Sequence, residues 1–248
     1  MPVVCLLLCS VCSISSAQHK VVLMHRAAKG AATRNEFDIE FTMVGAGRAV
    51  KMESTAVQYD TVFAVSPSGD ITSKDYTKPL SSSINGVKQS VDSRPSKLAT
   101  TVIRSDGTLV SSSDIADAAT ARSLANCMYS VVSLVFVNNP VGVGDSWTVN
   151  AKPASIAGVV PATVTYKVLA SGIKQGETCF EIQCSFREVS GEKPFSATST
   201  VWVSEKTGDS LSTELIIDRY PMPNADKGSA AMRMHISRIP AGPRTKAK

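Results

Sequence analysis

The sequence has little of what most chemistries need. It holds three histidines, His19, His25 and His235, and six cysteines, of which Cys5, Cys9 and Cys12 sit in the first apolar run. The other three, Cys127, Cys179 and Cys184, form no Cys-x-x-Cys pair, which excludes a zinc knuckle and a thioredoxin-like redox site. Aromatic residues are only 6% of the chain, so the core must rely on Val, Ile, Leu, Ala and Met. The segment VGAGR offers Gly-x-Gly with no βαβ unit after it, which excludes a dinucleotide loop and leaves a turn. The net charge of +5 is spread along the chain, with a small excess in the tail AGPRTKAK. No basic strands interleave with aromatics, so a nucleic-acid module is not expected. Charged residues at 19% and apolar residues at 43% exclude a disordered chain.

The longest apolar run, Val3 to Ile14, is too short to anchor in a bilayer. Ser15-Ser16-Ala17 follows it and fits signal-peptidase cleavage after Ala17. The run lacks a positive start, yet export is the expectation, with residues 1–17 as signal peptide. A buried N-terminal strand is the bland alternative. Cys5, Cys9 and Cys12 follow Val4, Leu8 and Val11, not the small residue that lipid modification requires, so anchoring finds little support. The expected mature chain is one β-rich domain, residues 18–240, and a basic tail, residues 241–248, with no membrane-spanning segment.

Beyond the leader the pattern is β. In NEFDIEFTM, Phe37, Ile39, Phe41 and Met43 alternate onto one face. AVKMESTAVQYDTVFAV reads as a long, bent strand. The polar stretch YTKPLSSSINGVKQSVDSRPSK, rich in Ser, Gly and Pro, reads as loops and short edge strands. Asp106-Gly107 marks a tight hairpin. Five further strands follow residue 160, and CFEIQCSF places Phe180, Ile182, Cys184 and Phe186 on a packed face. Glu181, Gln183 and Cys179 fall on the wet one. Cys179 and Cys184 therefore do not bridge each other. An internal disulfide would join one of them to Cys127.

One segment breaks the pattern. From Ser113, a candidate cap, to Val135, the residues Leu124, Cys127, Met128, Val131 and Val135 recur at helical spacing. Asp114 and Asp117 suit the helix start. The expected fold is therefore mainly β: a long curved antiparallel sheet, an open barrel or roll, with one amphipathic helix on its concave face.

The chemical signals are thin. Gly208-Asp209-Ser210-Leu211 spells the nucleophile block of an esterase and lipase group. That group carries it at the end of the first strand of an α/β fold, with a histidine far downstream, three residues after an aspartate. Here the block lies near the end, only His235 follows, and Met232 stands three residues before it. A turn feeding a strand is the better reading, as it is for Gly144-Asp145-Ser146-Trp147. Met232 and Met234 share a strand face as core filling, and no metal or cofactor is expected. Glu181, Glu188, Glu192 and Asp218 read as surface charges.

The run RSDGTLVSS, a small-residue helix, LVFVNNPVGVGDSWTV and TYKVLASGIKQGETCFEIQC together resemble a family of uncharacterised secreted bacterial proteins. Many are lipoproteins or outer-envelope proteins. They share a Gly-Asp-x-Trp element after a Pro-Val segment, here Pro140, Val141, Gly144, Asp145 and Trp147. They also share a late Gly-x-Leu turn and strand, similar to Gly208 to Leu211. The resemblance covers roughly residues 20–220 and brings no catalytic residues with it. Its layout is similar to the half-barrels of periplasmic lipoprotein carriers, an analogy of fold alone.

The expected function is that of a non-catalytic exported envelope protein, in the periplasm, at the cell surface or outside the cell. It would bind an apolar small molecule, a surface polymer or a protein partner. Leu124, Met128, Val131 and Trp147, at the helix–sheet junction, are the expected lining. A structural protein pairing through sheet edges and a glycan or ester hydrolase are the alternatives.

Overall fold

The computed structural model describes residues 19–45, 48–113, 115, 119–151, 159–190, 194–218 and 229–240. The expected leader, the basic tail, Asp114, Asp117 and Glu192 lie outside the described residues.

The described residues form one helix and twelve strands of a single antiparallel sheet. The first half comprises β1 (Ala32–Gly45), β2 (Arg48–Val65), β3 (Ile71–Ile84), β4 (Val87–Lys88), β5 (Ala99–Ile103) and β6 (Leu109–Ser112). Helix α1 (Ala119–Val131) follows. The second half comprises β7 (Ser146–Ala151), β8 (Ala162–Lys174), β9 (Glu177–Glu188), β10 (Ser196–Ser204), β11 (Ser210–Ile217) and β12 (Ser229–Arg238). The spatial order is β6-β5-β3-β2-β1-β12-β11-β10-β9-β8-β7, with β4 on β3. Each half is a meander, and the halves join where β1 pairs with β12. The edges β6 and β7 do not pair among the described residues, so the sheet is open.

Because α1 links those two edges, it must cross the sheet. The hydroxyl of Tyr129 lies 3.2 Å from Thr101 Oγ1 on β5. In the next two residues, the carbonyls of Ser130 and Val131 meet Tyr166 on β8 and Ser199 on β10. A single short helix reaches strands of both halves only if the sheet curls around it. This is the curved sheet with a helix on its concave face that the residue pattern predicts.

Alternation explains the inner surface. Val164, Tyr166 and Val168 of β8, Phe180, Ile182, Cys184 and Phe186 of β9, and Val201 and Val203 of β10 are buried together with Cys127 and Val131 of α1. Trp147 stacks on Tyr166 with ring centroids 5.0 Å apart. Met232 and Met234 are buried in the same core, as core filling should be.

The helix is shorter than its periodicity implies. Its described residues run from Ala119 to Val131, and Ser113 lies outside it. Ser113 instead extends the β5–β6 ladder, its Oγ accepting from Thr100 N at 2.8 Å. At the other end the chain leaves the helix before Val135. Leu134 takes φ = 57°, a left-handed conformation that costs a leucine roughly 1–2 kcal/mol, and its side chain is wholly buried.

Helix termini leave carbonyls without partners, and here the strands supply them. Tyr166 OH donates to Ser130 O at 2.7 Å, Ser199 Oγ to Val131 O at 2.8 Å and Ser210 Oγ to Val132 O at 2.5 Å. Tyr166 OH also accepts from Val135 N at 3.2 Å, and Trp147 Nε1 donates to Val135 O at 2.8 Å.

Three expectations need correction. The stretch from Tyr76 to Ile84 is not loop but the continuation of β3. Pro79 is tolerated there because it sits between the parts of β3 that pair with β5 and with β4. Residues 19–31 are not a sheet strand but a strap, joined to β7's approach by the isolated Val21–Val141 bridge and by the Lys20–Asp145 ion pair. Cys127, Cys179 and Cys184 are all free and buried, so no disulfide forms among them. Burial pushes the Cys184 thiol up to about 12, and each behaves as a small apolar group. Cys179 is buried despite its outward position, because the turn after β10 lies against that end of β9 through Glu205 N and Thr178 O.

Replacing Tyr166 with Phe removes one hydroxyl from two buried backbone partners. The expected loss is about 2 kcal/mol of unfolding free energy with the fold retained, read from urea titration.

Candidate functional site

The four residues expected to line a ligand site come together at the junction of α1 and the sheet, but they are not equally accessible. Val131 is 0% and Trp147 9% exposed. Leu124 and Met128 are half-buried and pack against the same core. The junction is thus filled around Val131 and Trp147, while Leu124 and Met128 keep part of their surface exposed.

The Gly-Asp-Ser-Leu block is explained letter by letter by packing. Gly208 has φ = 71°, and a Cβ there would lie 2.3 Å from Met24 O of the strap. Asp209 Oδ2 takes a 3.0 Å ion pair from Arg238 Nη2, and its Oδ1 lies 4.0 Å from His25 Nδ1. Ser210 spends its hydroxyl on the helix carbonyl, and Leu211 is 1% exposed. His235 lies on the outer face, its Nδ1 2.5 Å from Glu214 Oε1. The turn reading holds, and serine and histidine stand on opposite faces of the sheet. The related Asp145 does similar work, accepting from Gly142 N at 2.9 Å and pairing with Lys20 of the strap at 2.8 Å.

The strap is the feature that sequence reasoning missed. His25 N donates to Ser105 O, Arg26 N to Thr207 O and Gly30 N to Val62 O. It therefore ties the β5–β6 hairpin, the β10–β11 turn and β2 to one segment. Gly107 at that hairpin has φ = 88°, and a Cβ there would meet Leu134 O at 1.9 Å. His25 is buried against Phe136, with its Nε2 unpartnered among the described residues. Glu188, expected on the surface, is also buried, and its Oε2 accepts from Phe195 N at 2.9 Å.

The same corner carries Asp60. Burial raises its carboxyl to about 6, and the charges of Asp75 and Asp209 add to the rise, while a Ser73 hydrogen bond and Arg238 oppose it. Burial pushes the Asp209 carboxyl up too, but His25 and Arg238 more than offset this and hold it below the usual range.

The inner face continues past the helix onto the long ribbon of β1, β2 and β3. There Phe41 lies between Met232 and Met52, Met52 pairs with Ile84, and Ile39 lies between Met234 and Ser54. Phe37, Ile39 and Phe41 pack against the core yet remain half-buried, as do Met52 and Ile84. The outer face of these strands bears a trough of about 940 Å³ with mixed walls, Asp38, Glu40, Glu53, Arg233 and His235 beside Leu80 and Val91. Lys51 Nζ bridges Glu40 at 2.9 Å and Glu53 at 2.8 Å there.

An open antiparallel sheet curled around one crossing helix is the class of architecture this chain defines. No family model and no curated protein matches the sequence. Among solved structures it is similar to a Bacteroides fragilis protein with a YmcC-like fold, at 9% identity and TM-score 0.32, over 86% of this chain and 97% of that one. It is similar to the lipoprotein YmcC of Escherichia coli, at 13% identity and TM-score 0.29, over 86% and 89%. An outer membrane lipoprotein-sorting protein domain from Vibrio parahaemolyticus matches at 8% identity and TM-score 0.20, over 87% of each chain. At these scores the likenesses carry no argument about binding or activity.

Two substitutions test this corner. Ser210→Ala should cost about 1–3 kcal/mol by stranding Val132 O, read from the midpoint of chemical unfolding. Asp60→Asn should stabilise. The raised carboxyl favours its protonated form in the fold, so the native chain loses stability as pH rises from about 4 to 6. The variant's gain should be on the order of 1–3 kcal/mol above that window and vanish below it, as measured by melting across pH.

Proposed function

We propose that the chain is a non-catalytic envelope binding module that takes an apolar ligand on the open part of its concave face. Leu124 and Met128 form the helix side of this site, and Phe37, Ile39, Phe41, Met52 and Ile84 the sheet side. Val131 and Trp147 lie beneath as its floor. The observation that carries the reading is the difference between the two halves of one inner surface. In the second half the inward side chains are sealed under α1, whereas on β1 to β3 they continue as an apolar strip left half-buried. Such a strip gains about 25 cal/mol for each Å² that a ligand removes from water. Export to the envelope belongs to the same proposal and rests on the Val3 to Ala17 leader sequence.

The edge-pairing reading has less behind it. The edge strands β6 and β7 have four and six residues, and short edges discourage pairing with another chain. The hydrolase reading loses its named serine to the helix carbonyl.

The test is native mass spectrometry of the purified chain together with titration of an environment-sensitive apolar dye. A retained lipid-like mass or saturable dye binding is expected. Ile39→Ser and Leu124→Asp should each weaken binding by about tenfold, a change of about 1.4 kcal/mol, with melting retained. Absence of both ligand and dye binding, or affinity untouched by both substitutions, would sink the proposal.

A further inference from the structure

We propose that the outer face of β1, β2 and β3 docks on the surface of an anionic lipid bilayer. This surface is separate from the inner strip and does not depend on what the strip binds.

Phe37 and Ile39 face inward, so Arg34 and Glu36 face outward by alternation. The register then sets Arg34, Tyr59 and Tyr76 in one outer row. Thr61 and Lys74 form the next row, and Glu36, Val57 and Lys78 the row on the other side. Tyr59 and Tyr76 stack with centroids 5.1 Å apart, and Arg34 Cζ lies 5.8 Å from the Tyr59 ring. Lys74 Nζ lies 4.0 Å from the Phe63 centroid, which places Phe63 on this same face.

Two of the exposed apolar residues are the ones that irregularities push out of the ladder. Phe63 is skipped between Val62 and Ala64, and Leu80 between Pro79 and Ser81. Phe63 is 54%, Leu80 48% and Leu98 52% exposed. Leu98 immediately precedes Ala99, which is buried, so Leu98 also points outward. Grouped apolar side chains on a ribbon already wet on this side lower its solubility and are better explained by a partner.

Charge identifies the partner. In the three rows the cations Arg34, Lys74 and Lys78 face one acid, Glu36. The acids Asp38, Glu40, Glu53 and Glu214 lie in the adjoining rows around the trough. The three rows therefore carry a net positive charge beside the tyrosines, whereas around the trough Lys51, Lys88 and Arg233 offset the acids, so the basic, aromatic end is the one that meets a negative surface. A bilayer uses every component of this face: phosphates for the cations, the interface for the tyrosines, and hydrocarbon for Phe63, Leu98 and, at the border with the trough, Leu80. A soluble anionic polymer would leave the aliphatic side chains in water.

The experiment is co-sedimentation of the full chain with vesicles of phosphatidylglycerol and phosphatidylcholine, or of phosphatidylcholine alone. Binding to the mixed vesicles, weakened by salt, is expected. Each cation is worth about fivefold near such a surface, so the double charge reversal K74E/K78E should weaken binding by at least about 25-fold. F63S/L80S should weaken binding to vesicles but not to soluble polyglutamate. The proposal is overturned if the wild type ignores mixed vesicles. It is equally overturned if K74E/K78E binds them like the wild type, which assigns attachment elsewhere in the chain. Polyglutamate binding with no vesicle binding replaces the bilayer with a soluble polyanion. Should K74E/K78E fail to fold, the salt series and F63S/L80S decide the same question.

Discussion

The architecture depends on how one helix ends. An α-helix leaves its last carbonyls without partners, and burying them bare costs about 1–3 kcal/mol each. Here the end of α1 lies against the inner face of a curled sheet, with Ser130 and Val131 buried there. Three hydroxyls from three strands, on Tyr166, Ser199 and Ser210, answer the carbonyls of Ser130, Val131 and Val132 in succession. That arrangement fixes the helix along its axis as well as its face. Apolar contact alone tolerates a sliding helix. A ladder of directed hydrogen bonds does not, and Leu134 can be held in a left-handed turn because the contacts on either side of it over-determine the path.

This dependence also explains why the two ends of the chain's logic meet at one corner. The strap, the Asp106-Gly107 hairpin and the Gly208-Asp209 turn all approach the segment that leaves α1. Phe136 N donates to Asp106 O at 2.8 Å, so the hairpin of the first half is bonded to the chain descending from the helix. The sheet is open at its edges, yet this corner couples the edges through hydrogen bonds rather than through strand pairing. Asp60 and Asp209 sit at this corner with carboxyls shifted in opposite directions, which makes the coupling sensitive to pH.

Much of the fold was legible because it rests on period. Alternation on β9 and β12 and the recurrence of Leu124, Cys127, Met128 and Val131 required only counting. What was not legible rests on partners distant in sequence. Ser113 satisfies a strand instead of a helix, because its Oγ accepts from Thr100 N on the neighbouring strand. Pro79 lies within a strand because part of β3 has an open side. Glu188 looks like a surface charge until Phe195 N is placed beside it. The strap looks like an ordinary strand, since extended chain has one appearance in sequence whether it pairs along its length or at single points.

The serine block shows the same limit from the chemical side. Four letters suggested a nucleophile, and the surrounding sequence argued for a turn. Neither argument could reach the reason these letters stand together. Glycine permits the strap to approach, aspartate binds an arginine from the last strand, serine ends the helix, and leucine fills the core. Each role draws on a different part of the chain, so their adjacency follows from the location of one turn at the crossing of four segments. The candidate site differs in kind. Leu124 and Met128 could be found by period, but the residues of β1 to β3 that the proposal adds to them could not, because they share an inner surface with the helix only where the sheet curls. Curvature places Phe41 and Ile39 on the same inner surface as the helix, and the hydroxyls that end the helix hold that surface in place.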